Sequence, residues 1–502
     1  MTRPGFVIDV DTRTPALLGA SGQRFWLQRM PEGTQVVYPA EATASSDPSR
    51  LIESAISAPI SGEALVERLR PETKLTIAVL DDGRPYPRAR FDVRRAIVER
   101  LLELAARRCV DDVMIVVGSG LKKRWSAYDV TRTLGDRVAS SFQPDGMIIS
   151  HDITSALLVP VGTVQGHEVQ LNARVAESDL VIVVGVQSDN SNGSPIVRSL
   201  VDVETLRRIG PGSSDDFRAG VAATVHGATD FFAIQAVLGQ PSLLHGLEFA
   251  AKREWEWNLA DKLRYVGLRQ IEALAPKLVR RRLAAPLADY AVLDVLGGTP
   301  DAVFAEARQV WAAANSVPVA RQADVALITV WGGSFDEDLS GSPINAAEHA
   351  LVDRLGHCSG RPYVRDGGVV VAFHPLRPVF SNRRQAAAGD FFARVLPRSI
   401  DPAEMLEAEQ AASVDPWYLD LYRRQFADHP LATFQSWYKV ARAAGRLGDV
   451  IWVGADRRTA DLFGHRAATA LPDALEIASD KVGRDPQLTF LHGIGLALGQ
   501  LS

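Results

Sequence analysis

The residues best suited to binding a polar ligand follow a short apolar segment near residue 80. Leu75–Leu80, with the sequence LTIAVL, is typical of a buried strand, and Asp81, Asp82 and Arg84 come directly after it. An arginine can bind a carboxylate or a phosphate through two parallel hydrogen bonds, and a neighbouring carboxylate can orient it. The turn is therefore a candidate anion site. The alternative is an ordinary polar turn that carries a surface ion pair.

A second candidate loop follows the apolar segment Val113–Val117. Gly118 and Gly120 in this loop would let the backbone approach a ligand closely, and Lys122 adds positive charge. The pattern is neither a Walker A phosphate-binding loop nor the GxGxxG dinucleotide fingerprint. It indicates either an anion-binding turn or a glycine turn followed by a solvated basic segment.

Two further loops carry polar groups in the first half of the chain. His151 lies next to Asp152 and could act as a base that a carboxylate orients, although adjacent residues of this kind more often cap a turn. Gln187 and Asn190 belong to a polar loop that offers hydrogen-bond donors and acceptors but no strong base. We take His151 as a candidate catalytic residue, and Gln187 and Asn190 as candidate ligand contacts.

The second half of the chain has its own candidates. Ser334 follows an apolar strand, and Glu348 and His349 are neighbours on the helix that comes next. A carboxylate and an imidazole at one place can accept and return protons. Glu348 and His349 are therefore candidate catalytic residues, and Ser334 is a candidate ligand contact. The alternative is that these three residues lie at ordinary solvated positions. The same two interpretations apply to His374, which follows the next strand.

These candidates lie where the strands of a parallel sheet would end. Short continuous apolar segments alternate with amphipathic helical segments along the chain, a pattern typical of α/β proteins whose parallel sheet is covered on both faces. In such sheets the loops after the carboxyl ends of the strands form the binding site. A chain of 502 residues is too long to fold around a single hydrophobic core. We therefore predict two α/β domains, residues 1–318 and 319–502, with mainly parallel sheets that flank a cleft.

The composition excludes several classes of partner. The net charge of -5 and the lack of long basic segments argue against nucleic acid, and no apolar segment approaches the ~20 residues of a membrane span. The N-terminal segment has charges where a secretion signal needs an apolar core. Cys109 and Cys358 belong to no metal-binding motif. We expect a cytoplasmic protein with no nucleic-acid or membrane partner, and the oligomeric state stays open.

Several motifs together resemble the lactate racemase family. The segment LTIAVLDDGRPYP resembles the D-x-x-R-P turn of that family, VMIVVGSG resembles its strand that ends in a glycine turn, and ISHDITSALLVPVGTVQGHEVQLNARVAESDLVIVVG matches its layout. SPINAAEHALVDRL and RDGGVVVAFHP resemble a helix and a strand of its second domain. The resemblance is specific in the first domain and loose in the second. It implies two α/β domains and an enzyme that racemises or epimerises 2-hydroxy acids.

The resemblance also implies a nickel-pincer nucleotide, which that family holds through a lysine thioamide and a histidine on nickel, with two further histidines that move protons. Asp81 and Arg84 match the D-x-x-R positions. The other expected positions differ: Gly120 and Asn190 replace the catalytic histidines, Leu200 or Arg198 the lysine, Gly210 the nickel-binding histidine, and Glu348 and Leu351 a glutamine and a lysine. Nickel bound to a thioamide needs the amine and an imidazole. We therefore expect neither metal nor cofactor, unless His226 is a displaced ligand.

Three functional hypotheses follow from these observations. The first is a divergent enzyme that acts on a small hydroxy-carboxylate as a racemase, epimerase or lyase, by proton transfer next to the carboxylate and without nickel. The second is a nickel-pincer racemase with displaced ligands, and the third is a non-catalytic binding protein. An NAD-dependent dehydrogenase would need a glycine fingerprint with an acidic partner, which the sequence lacks.

The first prediction concerns Arg84. If Arg84 holds the anionic end of the ligand, Arg84→Ala should weaken binding by roughly 1.5–3 kcal/mol, about tenfold to a hundredfold in Kd. Arg84→Lys should restore part of the affinity, because a point charge lacks the planar fork, and Asp81→Asn should cost less than Arg84→Ala. Titration calorimetry with a hydroxy-carboxylate measures these changes, and an unchanged affinity in Arg84→Ala would show that the anion binds elsewhere.

Overall fold

The structure is a computed structural model in which strands and helices alternate along the chain. The residues that it describes are 3–41, 47–81, 88–189, 193–243, 246–276, 287–331, 342–355, 362–381, 383–493 and 495–501. Within these ranges no helix is long and apolar enough to cross a membrane.

The strands form where the sequence is rich in valine, isoleucine and leucine, residues that pack well on a pleated surface. In chain order they are β1 (Phe6–Asp9), β2 (Leu17–Gly22), β3 (Arg24–Gln28), β4 (Gln35–Tyr38), β5 (Leu75–Leu80), β6 (Arg88–Ala89), β7 (Val113–Gly118), β8 (Ile148–Ser150), β9 (Leu158–Val164), β10 (His167–Asn172), β11 (Leu180–Gln187), β12 (Phe231–Leu243), β13 (Leu287–Gly298), β14 (Ser316–Val319), β15 (Ala323–Trp331), β16 (Val364–Phe373), β17 (Asp449–Val453), β18 (Arg466–Ala468), β19 (Leu488–Leu491) and β20 (Leu498–Leu501).

The helices begin mostly after a polar residue whose side chain accepts a hydrogen bond from the first turn. Ser126 and Asp129 form a capping box at the start of the helix that follows β7. In chain order the α-helices are α1 (Pro48–Ser57), α2 (Leu65–Arg68), α3 (Val93–Arg107), α4 (Ala127–Leu134), α5 (Asp136–Phe142), α6 (Ala173–Ala176), α7 (Pro195–Leu200), α8 (Val203–Arg208), α9 (Asp215–His226), α10 (Leu259–Leu274), α11 (Pro300–Asn315), α12 (Pro343–Glu348), α13 (Ala386–Asp390), α14 (Leu406–Val414), α15 (Pro416–Gln425), α16 (Pro430–Ala444), α17 (Arg457–Leu462) and α18 (Leu471–Val482). Shorter 3-10 turns span Glu248–Ala251, Glu254–Glu256 and Pro402–Met405, and π-helical turns span His349–Arg354 and Phe391–Val395.

The first sheet has the strand order β6-β13-β12-β11-β5-β7-β8. Strands β5, β7, β8, β11 and β12 are parallel, and β13 runs antiparallel to β12. One apolar cluster packs α1, α3, α4 and α5 on one face, and another packs α7, α8, α9 and α11 on the other. The chain passes from β5 to β7 and β8 on one side of β5, and β11 then pairs with β5 on its other side. The strand order therefore reverses between β5 and β11. Ligands of open α/β sheets bind at such a point.

The second sheet has the order β1-β4-β19-β15-β16-β17-β18, with β2 and β3 attached at β15. Its central strands β19, β15, β16, β17 and β18 are parallel, and β4 is parallel to β19. Two apolar clusters cover its two faces. The predicted α/β architecture with mainly parallel sheets is therefore confirmed.

The first forty residues do not pair as the predicted division suggests. The domain 1–318 was expected to hold them, but β1, β2, β3 and β4 hydrogen-bond within the second sheet. β2 pairs with a strand about 310 residues later and β4 with one about 450 residues later, and local patterns carry no information on such partners. The boundary near residue 318 and the cleft stay predictions.

The segment around α10 joins the two sheets. Arg269 of α10 donates to the carbonyl of Phe25 in β3 at 2.7 Å. An apolar cluster continues this contact with side chains from both sheets and from the segment, namely Leu18, Ala20, Phe25, Leu243, Leu247, Phe249, Ala250, Trp257, Leu268, Ala288 and Trp331. The carboxyl end of β12 and the amino end of β13 are therefore fixed to the β2–β3 hairpin.

A buried polar group strengthens the same junction. The Glu254 carboxylate accepts hydrogen bonds from the Leu18 N–H at 2.6 Å, from Nε2 of His492 at 2.6 Å and from the Tyr38 hydroxyl at 3.2 Å. Burial alone would raise the pKa of the Glu254 carboxyl, but interaction with His492 and the hydrogen bonds from His492 and Leu18 outweigh it and lower the pKa below its ordinary value. The carboxylate thus ties the 3-10 turn at Glu254 to strands β2, β4 and β19.

This junction generates the second prediction. Glu254→Ala should lower the free energy of unfolding by ~3 kcal/mol, because it leaves buried donors without an acceptor, while Glu256→Ala on the same turn should cost less than ~1 kcal/mol because its ion pairs are partly exposed. The folded pKa is lowered, so the stability from Glu254 is present above the ordinary glutamate pKa and is lost as pH falls through the folded value. Urea unfolding across acidic pH measures both effects, and equal losses in the two variants would contradict the account.

Candidate functional site

Two predicted ligand-binding loops flank the point where the strand order of the first sheet reverses. Asp81 follows β5, and Gln187 is the last residue of the neighbouring β11. Asp82, Arg84 and Asn190 lie outside the described residues. The described side chains turn inwards: Gln187 is buried and its Nε2 donates to the Asp189 carbonyl at 2.6 Å.

Asp81 is a buried positioning group. Its Oδ1 accepts from Arg94 at 3.2 Å and its Oδ2 from the Trp125 indole at 2.5 Å. Arg94 also donates to the carbonyl of Leu80 at 2.6 Å and to Asp92, the cap of α3. The carboxylate therefore fixes the end of β5, the start of α3 and the loop after β7 relative to one another, an indirect role like the one that the sequence predicts for Asp81.

The glycine turn after β7 packs directly on helix α7. A Cβ at Gly118 would lie 2.8 Å from the Ser199 Cβ, and a Cβ at Gly120 would lie 2.1 Å from the carbonyl oxygen of Arg198. Gly120 also has a φ of +53°, in the left-handed region that favours glycine. The two glycines thus allow a close approach of backbone to backbone, and this turn delivers Lys122, which is exposed.

His151 occupies a structural position. Its side chain is 2% exposed, its Nε2 contacts the Val201 carbonyl at 3.1 Å, and its Nδ1 contacts the Asn172 side chain at 3.1 Å. Burial lowers the pKa of His151 to about 4. Because both ring nitrogens are engaged and no surface faces a ligand, this geometry favours the alternative of a residue that ties local structure, and it does not support the predicted catalytic role.

Glu348 and His349 lie beside the carboxyl ends of the second sheet. Glu348 ends α12, and His349 begins a π-helical turn, a distortion that often marks functional sites. Nδ1 of His349 contacts Asp353 at 3.2 Å. Burial and nearby His349 lower the pKa of His374, which follows β16, to about 3. Ser334 lies outside the described residues, so its predicted ligand contact stays a prediction.

The two sheets meet through a cluster of charges, here named the cross-sheet charge cluster and defined as Lys122, Arg198, Glu348 and Lys439. Glu348 and Lys439 form an ion pair of 2.8 Å. Burial alone would raise the pKa of the Glu348 carboxyl, but Lys439 and Lys122 and hydrogen bonds from Lys439 and Ser436 lower it to about 2. The Glu348 carboxylate in turn raises the pKa of Lys439. The positive charge of Arg198 acts in the other direction and lowers it. Lys439 and Lys122 thus act on the same carboxyl, and Arg198 acts on Lys439 from a third element.

Contacts beside this cluster hold the two sheets together. The Tyr422 hydroxyl donates to the Gly120 carbonyl at 3.4 Å, the His429 N–H to the Leu121 carbonyl at 2.9 Å, and the Lys123 N–H to the Asp428 side chain at 2.8 Å. All three join α15 or the loop between α15 and α16 to the glycine turn after β7. The turn that carries Lys122 is therefore fixed to the second sheet.

Sequence reasoning missed Lys439 and Asp353. Asp353 is four residues after His349 on a helical segment, a spacing that brings two side chains together, so this signal was present. Lys439 lies on a helix whose relation to Glu348 depends on tertiary packing between α12 and α16, and nothing local indicates it.

The described positions do not fit the nickel-pincer group. Leu200, at the expected place of the lysine, is fully buried in the apolar cluster beneath α7. Gly210 packs against Gln435, and any side chain at Gly120 would meet the Arg198 carbonyl. His226, the candidate displaced ligand, contacts Ser194 through Nε2 at 2.8 Å and Asp301 through Nδ1 at 2.9 Å. These residues offer neither the amine nor an uncommitted imidazole that the group requires.

The third prediction tests the close approach at Gly120. Gly120→Ala and Gly146→Ala both place alanine at a positive φ, but a Cβ at Gly146 has open space around it. Each substitution should lower the free energy of unfolding by ~1–2 kcal/mol, because alanine disfavours this backbone conformation. Gly120→Ala should lower it by ~1–3 kcal/mol more, because its Cβ would overpack against the Arg198 carbonyl. Urea unfolding of both variants measures the difference. Equal stabilities would mean that the turn after β7 is not held on α7.

The chain has similarity to known proteins in sequence and in fold. Residues 22–189 match the lactate racemase N-terminal domain. The lactate racemase apoprotein from Thermoanaerobacterium thermosaccharolyticum is 15% identical, with a TM-score of 0.62 over 96% of this chain and 99% of that one. A protein from Thermotoga maritima is 13% identical, with a TM-score of 0.47 over 92% of this chain and 100% of that one. No curated protein matches the chain by sequence.

The sequence match and the first of these fold likenesses cover different extents of the chain. The strands and loops that carry Asp81, the glycine turn and Gln187 all lie within the matched residues. The fold likeness extends over nearly the whole chain and includes the second sheet with Glu348 and His349. Residues 22–189 therefore match the lactate racemase N-terminal domain, and the chain as a whole has a fold similar to that of a lactate racemase.

Proposed function

We propose that this chain is a cytoplasmic isomerase-type enzyme that acts on a small hydroxy-carboxylate without nickel, as a racemase, epimerase or lyase. The reaction that we propose moves a proton at the carbon next to the carboxylate. The observation that carries the proposal is the cross-sheet charge cluster, in which Glu348 pairs with Lys439 next to His349 and the charge of Lys122 also acts on Glu348.

The excess of cations in this cluster suits an anionic ligand. Glu348 forms its ion pair with Lys439, and Lys122 and Arg198 bring two further positive charges to the same region. A ligand carboxylate that binds there would also receive the charge that develops when the neighbouring carbon loses its proton, and fixed cations stabilise such charge. Arg84, which lies outside the described residues, is proposed to add a bidentate contact to the same carboxylate.

The proton carrier that we propose is His349. When its Nδ1–H donates to Asp353, Nε2 becomes the basic nitrogen, and the carboxylate stabilises the imidazolium that forms. Glu348 and Lys439 are less suited to this step, because each holds the other in its charged form at neutral pH. They act as fixed charge, while His349 accepts the proton and returns it to the carbon or to a leaving hydroxyl.

Solvent exchange at the reacting carbon tests the proposal. Single enantiomers of short 2-hydroxy acids are incubated with the protein in deuterium oxide, and deuterium at the carbon next to the carboxylate is followed by NMR together with chiral analysis. Proton transfer predicts that deuterium enters as the enantiomer or epimer forms, and that an elimination appears instead as loss of this hydrogen together with a hydroxyl from the next carbon. Transfer of a hydride to and from a nickel cofactor would return the substrate's own hydrogen, and a binding protein would give neither change.

The fourth prediction assigns the proton to His349. His349→Gln should slow exchange by about 10²- to 10⁴-fold while ligand affinity changes little, because the cations remain. His226→Gln is the matched control: it removes another partly buried histidine with a carboxylate partner and should leave the exchange rate unchanged. Thermal melting verifies that both variants fold. Full activity in His349→Gln would contradict this role, and loss of activity in His226→Gln alone would favour the displaced-ligand hypothesis.

A further inference from the structure

Helix α10 carries an apolar stripe that faces solvent. Leu259, Leu263, Val266 and Leu274 follow one another at intervals of four, three and eight residues, which places them on one side of the helix. Their exposed fractions are 74%, 63%, 50% and 85%, and Ile271 at the margin is 46% exposed. Single exposed apolar residues are ordinary, but a contiguous row of large ones marks an interaction surface.

The stripe is separate from the packing that holds α10 in place. The opposite side of the helix, with Asp261, Leu268 and Glu272, is buried, and it is this side that contacts the β2–β3 hairpin. The stripe runs along a helix of 16 residues, roughly 24 Å at 1.5 Å per residue. It therefore forms a long ridge on the outside of the junction between the sheets.

The charges along this ridge are positive. Lys262, Arg264 and Arg269 are exposed, whereas the acidic residues of α10, Asp261 and Glu272, lie on its buried side. Glu248 approaches Arg264 at 3.6 Å, and Lys262 has no acidic partner among the described residues. The sequence continues this bias, since residues 259–282 contain seven Lys or Arg and two Asp or Glu. A partner that covers the stripe must therefore accept cations at its margins.

We propose that the α10 ridge docks this protein peripherally on a membrane surface rich in anionic lipids. An apolar helix face flanked by lysine and arginine buries its aliphatic side chains at the headgroup boundary while the cations contact anionic headgroups. A second copy of the chain is disfavoured, because a symmetric contact through the same ridge would bring Lys262 and Arg269 of each copy towards the cations of the other. The docking differs from the expectation of no membrane partner, which was based on the lack of a spanning segment.

Vesicle sedimentation tests the docking. The full chain should sediment with vesicles of phosphatidylcholine that contain phosphatidylglycerol, less with phosphatidylcholine alone, and less as salt is added. The double variant Leu263→Glu with Leu274→Glu should weaken vesicle binding by about tenfold or more, since it removes apolar burial and adds repulsion. Leu406→Glu on α14 is the matched control, because Leu406 is 53% exposed and lies on a different helix. It should bind as the unchanged protein does.

Three outcomes would overturn the docking. The first is equal sedimentation with neutral and anionic vesicles, or none with either. The second is a double variant that binds vesicles as the unchanged protein does. The third is a lipid-free dimer, seen by analytical ultracentrifugation, that the double variant abolishes while vesicle binding is absent, which would assign the ridge to a second copy. Circular dichroism verifies folding, and the exposure of both leucines predicts unchanged melting.

Discussion

The close approach of Gly120 to the Arg198 carbonyl constrains much of the region between the two sheets. It holds the turn after β7 on helix α7, and that turn then receives hydrogen bonds from the second sheet at the Gly120 and Leu121 carbonyls. Lys122 is delivered towards Glu348 by the same backbone path. Since no side chain fits at Gly120, the constraint also removes an imidazole from the place where the family is expected to have one. One steric contact thus accounts both for the position of the cations and for the altered chemistry that we propose.

Two kinds of interaction join the sheets at different places. On one side, the apolar cluster around Phe249 and Trp331 and the buried Glu254 fix the long strands β12 and β13 to the β2–β3 hairpin. On the other, charged groups meet, and their protonation depends on one another: Lys439 and Lys122 keep Glu348 ionised although it is largely buried. The first contact is mainly apolar, whereas the second is made by charged side chains of both halves of the chain.

The sequence predicted the central strands, the helices between them and the loops of interest, because these depend on local patterns. The segment LTIAVL, the Ser126 capping box and the pair Glu348–His349 all fall where the pattern placed them. The pairing of β1–β4 with the second sheet and the antiparallel β13 could not be predicted, since both depend on partners far along the chain. His151 shows the same limit within the site: its neighbour Asp152 suggested a base, but its actual partners are Asn172 and Val201, which tertiary structure brings to it.

The central claim is that the region between the sheets works without the nickel-pincer group. The most direct test is to produce the protein together with the enzymes that make that cofactor, and to measure its intact mass and nickel content alongside its turnover of a 2-hydroxy acid. The account predicts a mass equal to that of the polypeptide, no stoichiometric nickel, and turnover that does not depend on the cofactor-making enzymes. A covalent adduct of the cofactor's mass with stoichiometric nickel, and turnover found in that form alone, would contradict it.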